Sequence, residues 1–453
     1  MPQLGVEIVL VMGNALMGDR GIGHLIMEDL VMGEEKPTVF SPQTWGFSLE
    51  DLPPEACLVG GAVRDGLLGR QSDYLDLDFV VPQGAIEAAR KLAQTYQAGF
   101  VILDATREIA RVVFPEMTVD FALQEGDSLE ADLRRRDFTV NAIAYNPRSQ
   151  TLIDPLQGYQ DLQQRQLRTI ALENLKDDPL RLLRGYRQAA QLGFSLQPET
   201  QAGIRQLAPL LTQVAAERVN SELGYLLGSQ RGTYWLQQAW QDGLLSGWFP
   251  QAQGQSLDRL RAIDEVAREL AQTSPQLAQE LQAPLRPTLK TTLVMIAKLM
   301  SLMSEELTEA ETTLAGLKYS RAEVRAVLAL QEAWRGAGSE AALRGLPVRS
   351  QYFWFKRLDG TFPAYVLYAL ASGISREAIA PYIQHYLNPN DPIAHPRALL
   401  KGQDLIETLG VPRGPEIGYW LTEIAIAQAE GLLNSPHEAL DWVKQQRTQQ
   451  GKG

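Results

Sequence analysis

The 453-residue chain carries 45% hydrophobic and 21% charged residues, an ordinary globular balance with room for two to four domains. A single cysteine, Cys57, excludes an internal disulfide and suits a reducing compartment, and the longest apolar run, near residues 8–12, is too short to span a bilayer. The net charge of −12 speaks against nucleic acid as a partner, but five of those negative charges fall within residues 1–50 (seven acids, two bases). Bases bunch at Arg134, Arg135 and Arg136, at Arg165 and Arg168, and at Arg181, Arg184 and Arg187. Local patches rather than the total decide where phosphate binds. Glu7 precedes the first apolar run, so no basic leader opens the chain, and a cytoplasmic protein without a membrane segment is expected.

In chain order, residues 1–45 differ from the rest. Val9-Leu10-Val11-Met12-Gly13-Asn14, then Gly18-Asp19-Arg20-Gly21-Ile22-Gly23, stand in a stretch, residues 7–31, that resembles a fragment of the hydrogenase-maturation proteases. In that family an acid serving as nickel ligand usually stands where Arg20 stands. The stretch is too short to bury a core, so an inactive N-terminal extension or remnant is expected. Residues 34–48, with Pro37 and Pro42, read as a linker. From 49 to 170, apolar runs at 57–60, 77–81, 100–103, 111–114 and 118–122 predict strands, and 62–69 and 84–97 predict helices. After Asp177 leucines recur at helical spacing, which predicts a helical segment over 171–248, a boundary near 249–256, and further helices over 257–445. The tail from Gln445 to Gly453 reads as disordered.

Four strings carry chemistry. In the first, Cys57-Leu58-Val59 runs into Gly60-Gly61 and the helical segment that holds Arg64 and Asp65. Glycines let backbone amides approach phosphate oxygens, and Arg64 adds charge one turn in. In the second, Asp76 and Asp78 alternate on a strand ending Phe79-Val80-Val81, so both carboxylates face one way. Such a pair beside a glycine turn suits Mg²⁺ held against a triphosphate, and Asp120 on another strand is a candidate third acid. The third string is Arg134-Arg135-Arg136-Asp137-Phe138-Thr139-Val140-Asn141-Ala142, where arginines suit phosphates and Asp137 and Asn141 suit a ribose hydroxyl. The fourth opens Asp177-Asp178-Pro179-Leu180-Arg181 and continues to Arg184 and Arg187. Asp177 or Asp178 suits a helix N-cap. Asp178 and Arg181, three apart, would share a face and offer an acceptor and a donor to a base edge.

Together these strings resemble the class II tRNA nucleotidyltransferases and the related bacterial poly(A) polymerases. The resemblance covers residues 55–230 closely and includes Ile153-Asp154-Pro155, Gly158, Asp161-Leu162 and Glu217-Arg218. Lys401-Gly402-Gln403-Asp404-Leu405 and Gly414-Pro415-Glu416-Ile417-Gly418 add a weaker match. It implies an α/β nucleotidyltransferase head followed by an all-α neck, body and tail, the neck reading the incoming base and the body and tail gripping tRNA. It implies Asp76 and Asp78 as Mg²⁺ ligands and catalytic acids, while Asp120, read from its strand alone, either joins the catalytic acids or merely caps a sheet edge. Gly60, Gly61, Arg64, Arg135, Arg136, Asp137, Asn141, Asp178, Arg181, Arg184 and Arg187 would bind the nucleotide. The implied reaction is template-free addition from CTP, and from ATP in enzymes that finish the CCA end, to the tRNA 3′ end. Family members that complete that end usually carry a flexible loop between the positions of Asp120 and Arg134. Here Gln124-Glu125-Gly126-Asp127 passes almost directly to a helical run, which points to the CC-adding branch. The alternatives are poly(A) synthesis and a catalytically silent RNA-binding protein. A metal-dependent phosphohydrolase is disfavoured, because none of the four histidines lies near the acids in sequence and no zinc spacing occurs.

Overall fold

The computed structural model describes residues 24–26, 38–70, 74–229 and 231–450. It divides into two compact units. One is Met1–Asp178 with Phe194–Gly203, and the other is Pro179–Gly193 with Ile204–Gly453.

The first unit is built on an eight-stranded mixed sheet in the order β1-β8-β7-β2-β3-β6-β5-β4. Its strands are β1 (His24–Ile26), β2 (Cys57–Val59), β3 (Leu75–Val81), β4 (Gly99–Asp104), β5 (Ile109–Val113), β6 (Met117–Leu123), β7 (Ala144–Asn146) and β8 (Thr151–Ile153). All adjacent pairs are antiparallel except β3 with β6, which run parallel with Asp76 opposite Thr118 and Asp78 opposite Asp120. Buried Leu77, Phe79, Val119 and Phe121 fill the other face, where Phe79 and Phe121 stack with centroids 5.7 Å apart. Two helices follow their strands closely, α1 (Gly61–Leu67) after β2 and α2 (Ala85–Tyr96) after β3. The apolar stripe of α2, Ala85, Ala89, Leu92 and Ala93, is buried at helical spacing. Further short helices are α3 (Leu129–Arg134), α4 (Gly158–Gln163) and α5 (Leu172–Asp177). The unit also holds the small parallel pair β9 (Gln166–Leu167) and β10 (Ser195–Leu196).

Three expectations are corrected. The stretch expected to be linker contains two short turns, Thr38–Phe40 and Pro42–Thr44, and Val39, Phe40, Trp45 and Phe47 are buried in the head. Phe40 packs edge-on against Tyr145, and Trp45 against Phe79. Gly66 must be glycine here, since an added Cβ would lie 2.3 Å from Val39 and 2.7 Å from Phe40. The polar boundary expected near 249–256 buries Phe249 and Ala252 and leads directly into the helix Gly254–Thr273. The tail expected to be disordered continues as the helix Pro436–Gln450, where Arg447 donates to the Leu409 carbonyl (2.8 Å). Most of the hydrogenase-protease-like stretch lies outside the described residues. Its strand β1 pairs with β8 at the sheet edge.

In the second unit α6 (Leu180–Leu192) packs on α8 (Ala216–Gly228) and α9 (Gly232–Gln241) through Leu182, Leu183, Tyr186, Leu223 and Leu236; α7 (Pro198–Leu207), between α6 and α8 in the chain, begins in the first unit. Two later helices, Leu293–Leu302 and Phe362–Ala371, are buried over nearly their whole surface, so they form the centre of a helical body. Lys298 is buried within the first of them and is neutralised by Asp264 at 2.6 Å. A last cluster gathers Leu405, Trp420, Ile424 and Val443. Among the described residues no helix is long and apolar enough to cross a membrane.

Candidate active site

The parallel pairing of β3 and β6 decides the site. Facing residues on parallel neighbours share a side of the sheet, so Asp76, Asp78, Thr118 and Asp120 all project the same way. Thr118 donates its hydroxyl to Asp76, which fixes that carboxylate. On β5, Arg111 lies opposite Asp120 and grips it with two bonds, Nε to Oδ1 at 2.7 Å and Nη2 to Oδ2 at 2.8 Å. The expected third acid is therefore already paired with a guanidinium, whereas neither Asp76 nor Asp78 is gripped by one. Burial, Asp76 and Asp120 push the Asp78 carboxyl up to about 7, against the lowering pull of Arg136 and Arg111.

The glycine turn faces this cluster. Gly60 has φ of +73°, a left-handed backbone that disfavours a side chain, and a Cβ there would lie 3.7 Å from Asp78 Oδ2 and 3.4 Å from Arg136 Nη1. Gly61 opens α1, and a Cβ on it would sit 3.5 Å from Arg64 Nη2. Arg64 is held on two sides: Nε and Nη2 fork onto Asp65 (3.0 and 2.9 Å), and Nη1 donates to Asn141 Oδ1 (2.7 Å). Asn141 in turn donates Nδ2 to Asp137 Oδ1 (2.8 Å), which also accepts from the Phe138 amide (2.7 Å). Asp137 and Asn141, expected to face a ribose, are both buried and form a strut behind Arg64.

The arginine triplet splits. Arg136 reaches the acids and pairs with Asp132 (3.0 Å), Arg135 turns to Glu125 (2.6 Å), and Arg134 turns to Glu130 (2.6 Å). Of the three, only Arg136 stands beside Asp78. Asn174 fixes the triplet's backbone by donating to the carbonyls of Arg134 and Arg136 (2.8 and 2.7 Å). Asp154 accepts from the amides of Gly158 and Tyr159 at the start of α4 (both 2.8 Å). Asp161 is buried between Thr139 (2.5 Å) and Arg168 (3.0 Å). The link from β6 to α3 is short: Gln124 donates its amide to Val81 (2.8 Å), Glu125 donates its amide to Asp132 (3.0 Å), and Ser128 caps α3.

In the second unit, α6 presents Arg181, Arg184 and Arg187 at partly exposed positions. Arg184 (3.4 Å) and Arg187 both contact Glu222 of α8, and Arg187 also donates to Gln191 (2.6 Å). On its buried side Tyr186 donates to Asp242 Oδ2 (2.5 Å), and Arg205 bonds Asp242 Oδ1 (2.8 Å), which fixes the helix. The expected cap is corrected: Asp177 ends α5, and Asp178 follows it with extended dihedrals (φ −136°, ψ 91°). Pro179 occupies the N-cap of α6 with no side-chain cap bond. Asp178 thus lies just before the helix.

Arg111, Thr118, Asp132, Asn174 and Glu222 escaped the sequence reading. Arg111 carried a faint signal as the only polar residue of Ile109-Ala110-Arg111-Val112-Val113, but its partner is set by register that no local pattern reveals.

Asp76 and Asp78 offer oxygen donors on one face of the sheet, which fits a hard divalent cation. Among the described residues no three acids, cysteines or histidines converge to cage an ion unaided. Such an ion would complete its shell with substrate phosphates and water.

Paired acids on a central strand, a glycine turn against them and guanidiniums around them define a nucleotidyltransferase-type head. A Poly A polymerase head domain model matches residues 56–168, a further polymerase A model covers 193–255, and a tRNA nucleotidyltransferase domain 2 model covers 288–443. A CC-adding tRNA nucleotidyltransferase of Synechocystis is 51% identical over 88% of this chain and 95% of its own. An A-adding tRNA nucleotidyltransferase of Deinococcus radiodurans is 33% identical over 87% and 96%. A solved complex of a CCA-adding enzyme with ATP shares the fold, with a TM-score of 0.67 at 21% identity over 86% of this chain and 91% of that one. The chain belongs to the class II tRNA nucleotidyltransferase family.

Proposed function

We propose that the chain adds CMP from CTP, without a template, to tRNA ends that lack CCA, and stops after two C residues. The carrying observation is the pair Asp76 and Asp78 on one face of the sheet, with Asp78 beside Gly60 and Arg136 and neither carboxylate gripped by Arg111. Asp76 and Asp78 would hold Mg²⁺, which when bound lowers the pKa of the RNA 3′-hydroxyl and neutralises the triphosphate. The reaction joins the RNA 3′-oxygen to the α-phosphorus and releases pyrophosphate. Arg136 and the Gly60-Gly61 turn receive phosphate oxygens, and Arg64 adds charge where Asp65 and Asn141 hold it. Asp120, locked by Arg111, sets the field around the pair as a supporting acid.

Asp178 and Arg181 offer the acceptor and donor for the base edge, and Arg184 and Arg187 stand by on α6. The helical neck over 171–248 reads the base and the body and tail over 257–445 hold the tRNA. The short link at 124–128 supports stopping at CC: Gln124 is tied to the Val81 carbonyl, Glu125 to the Asp132 carboxylate, and Ser128 already caps α3, which leaves little chain to rearrange for a switch from C to A. The identity to the CC-adding relative favours the same end point.

The deciding assay offers three tRNAs, ending before CCA, in CC, and complete, with each labelled nucleoside triphosphate and Mg²⁺. Growth of the first alone, by two C residues, is expected. A single A on the CC-ending tRNA indicates A or CCA addition, and long A tails on unrelated RNA indicate poly(A) synthesis.

A further inference from the structure

The sheet of the first unit ends in β4, which hydrogen-bonds to β5 along one edge; among the described residues no strand pairs with its other edge. An open strand edge is a template for further pairing, and soluble proteins usually guard it with proline, lysine or an inward charge. Gly99-Phe100-Val101-Ile102-Leu103 carries none of these. Val101, Ile102 and Leu103 are 48%, 43% and 49% exposed, so the run presents three large apolar side chains to water at the place where main-chain donors and acceptors are also free. The one irregularity is a slip in the pairing with β5 between Ile102 and Asp104.

Two charges bracket the run. Arg90 of α2 stands over the ring of Phe100, 5.1 Å from its centroid, near the start of the strand. Asp104 ends the strand and accepts the amides of Thr106 and Arg107 on one carboxylate oxygen (2.9 and 3.1 Å), which leaves the other oxygen open. Among the described residues neither Arg90 nor Asp104 has an ion-pair partner. A strand with a cation at one end, an acid at the other and apolar residues between is complementary to itself reversed. With Ile102 opposite Ile102 of an antiparallel copy, Val101 meets Leu103, and Asp104 comes abreast of Phe100 and the Arg90 that covers it.

We propose that β4 pairs with β4 of a second copy of this chain about a two-fold axis at Ile102, so that the two sheets become one continuous sheet. The contact uses the same patch on both copies and therefore closes at two. A strand of six residues is ~20 Å long and covers less than the about 800 Å² per partner of a standard interface, so the dimer is of micromolar strength. The pairing does not depend on the enzymatic reading.

Sedimentation velocity of the full chain from about 1 to 100 µM tests it. Wild type is expected to approach twice the chain mass reversibly. I102K sets two ammonium groups against each other at the axis and should raise the dimer Kd by about tenfold or more. R90E and D104R should each weaken association, and R90E/D104R should restore it. Unchanged melting temperatures confirm folding. The register is read with a thiol, because Cys57, the sole cysteine, is buried. Facing residues of an antiparallel pair have Cα atoms about 4.5–5.5 Å apart, within the roughly 4.4–6.8 Å that a disulfide spans. I102C should therefore oxidise to a covalent dimer, and V113C, exposed on β5 one strand in from the edge, should not. A wild type that stays monomeric across the range or only aggregates irreversibly, an I102K that associates like wild type, or a V113C that crosslinks as fast as I102C overturns the pairing.

Discussion

Replacing Asp78 with asparagine tests the physical core of the site. In the folded, metal-free protein the Asp78 carboxyl is pushed up to about 7 from an ordinary 3.8. A group whose folded value is raised contributes stability below pH 4, where it is protonated in both states, and that contribution disappears as pH rises through 7. The shift spans roughly 3 pH units, and at about 1.4 kcal/mol per unit the ionised form costs the fold ~4 kcal/mol at pH 8 as an upper bound. D78N keeps the shape and removes the charge. In EDTA at pH 8 it is expected to melt several degrees above wild type, since ~1 kcal/mol moves Tm by roughly 2–4 °C in a domain of this size. At pH 4 the two should melt together. Mg²⁺ should then stabilise wild type at pH 8 and leave D78N nearly unmoved, and incorporation by D78N should fall by at least a hundredfold. Differential scanning calorimetry across pH, with and without Mg²⁺, reads all of these. A D78N protein less stable than wild type in EDTA at pH 8, or one that Mg²⁺ stabilises equally, would refute the reasoning.

Other outcomes follow from the same geometry. N141A removes the carbonyl that holds Arg64, so KM for CTP should rise about tenfold; a double cycle with R64K should show at least ~1 kcal/mol of coupling, whereas additive losses would separate the two residues. Y186F leaves Asp242 without its buried hydroxyl donor, and urea unfolding should show a loss of ~1–3 kcal/mol with little change in nucleotide preference. E222Q frees Arg184 and Arg187 to move, and single-turnover competition should show CTP losing ground to UTP while the melting temperature falls only slightly. G60A combines the strain of positive φ with a Cβ 3.4 Å from Arg136, so incorporation should drop by tenfold or more at unchanged tRNA binding.

Much of the head was legible locally. Alternating acids in Leu75-Asp76-Leu77-Asp78 predicted both strand and facing, and the glycine pair predicted the turn that now lies against them. What escaped was long-range. Arg111 meets Asp120 only because β5 and β6 pair in one register, and Asn174 reaches Arg134 from 40 residues away. Asp137 read as a ribose contact because an exposed and a buried carboxylate look alike in a string of letters. Val39, Phe40, Trp45 and Phe47 stand among two prolines that suggest a linker, although four large apolar residues in nine positions signal burial.

The single parallel pairing in the sheet also governs what sequence change the protein can accept. Everything from residue 82 to 116 is one long excursion, out through α2 and back along β4 and β5, that must end with Asp120 abreast of Asp78. Extra residues at the turn between β4 and β5 swell only a loop and leave this alignment alone. One residue gained or lost inside β6 would swing Asp120 and Thr118 into the oily layer and Val119 into the catalytic cleft. The active centre therefore tolerates length variation at one tip of the excursion and almost none on its last strand.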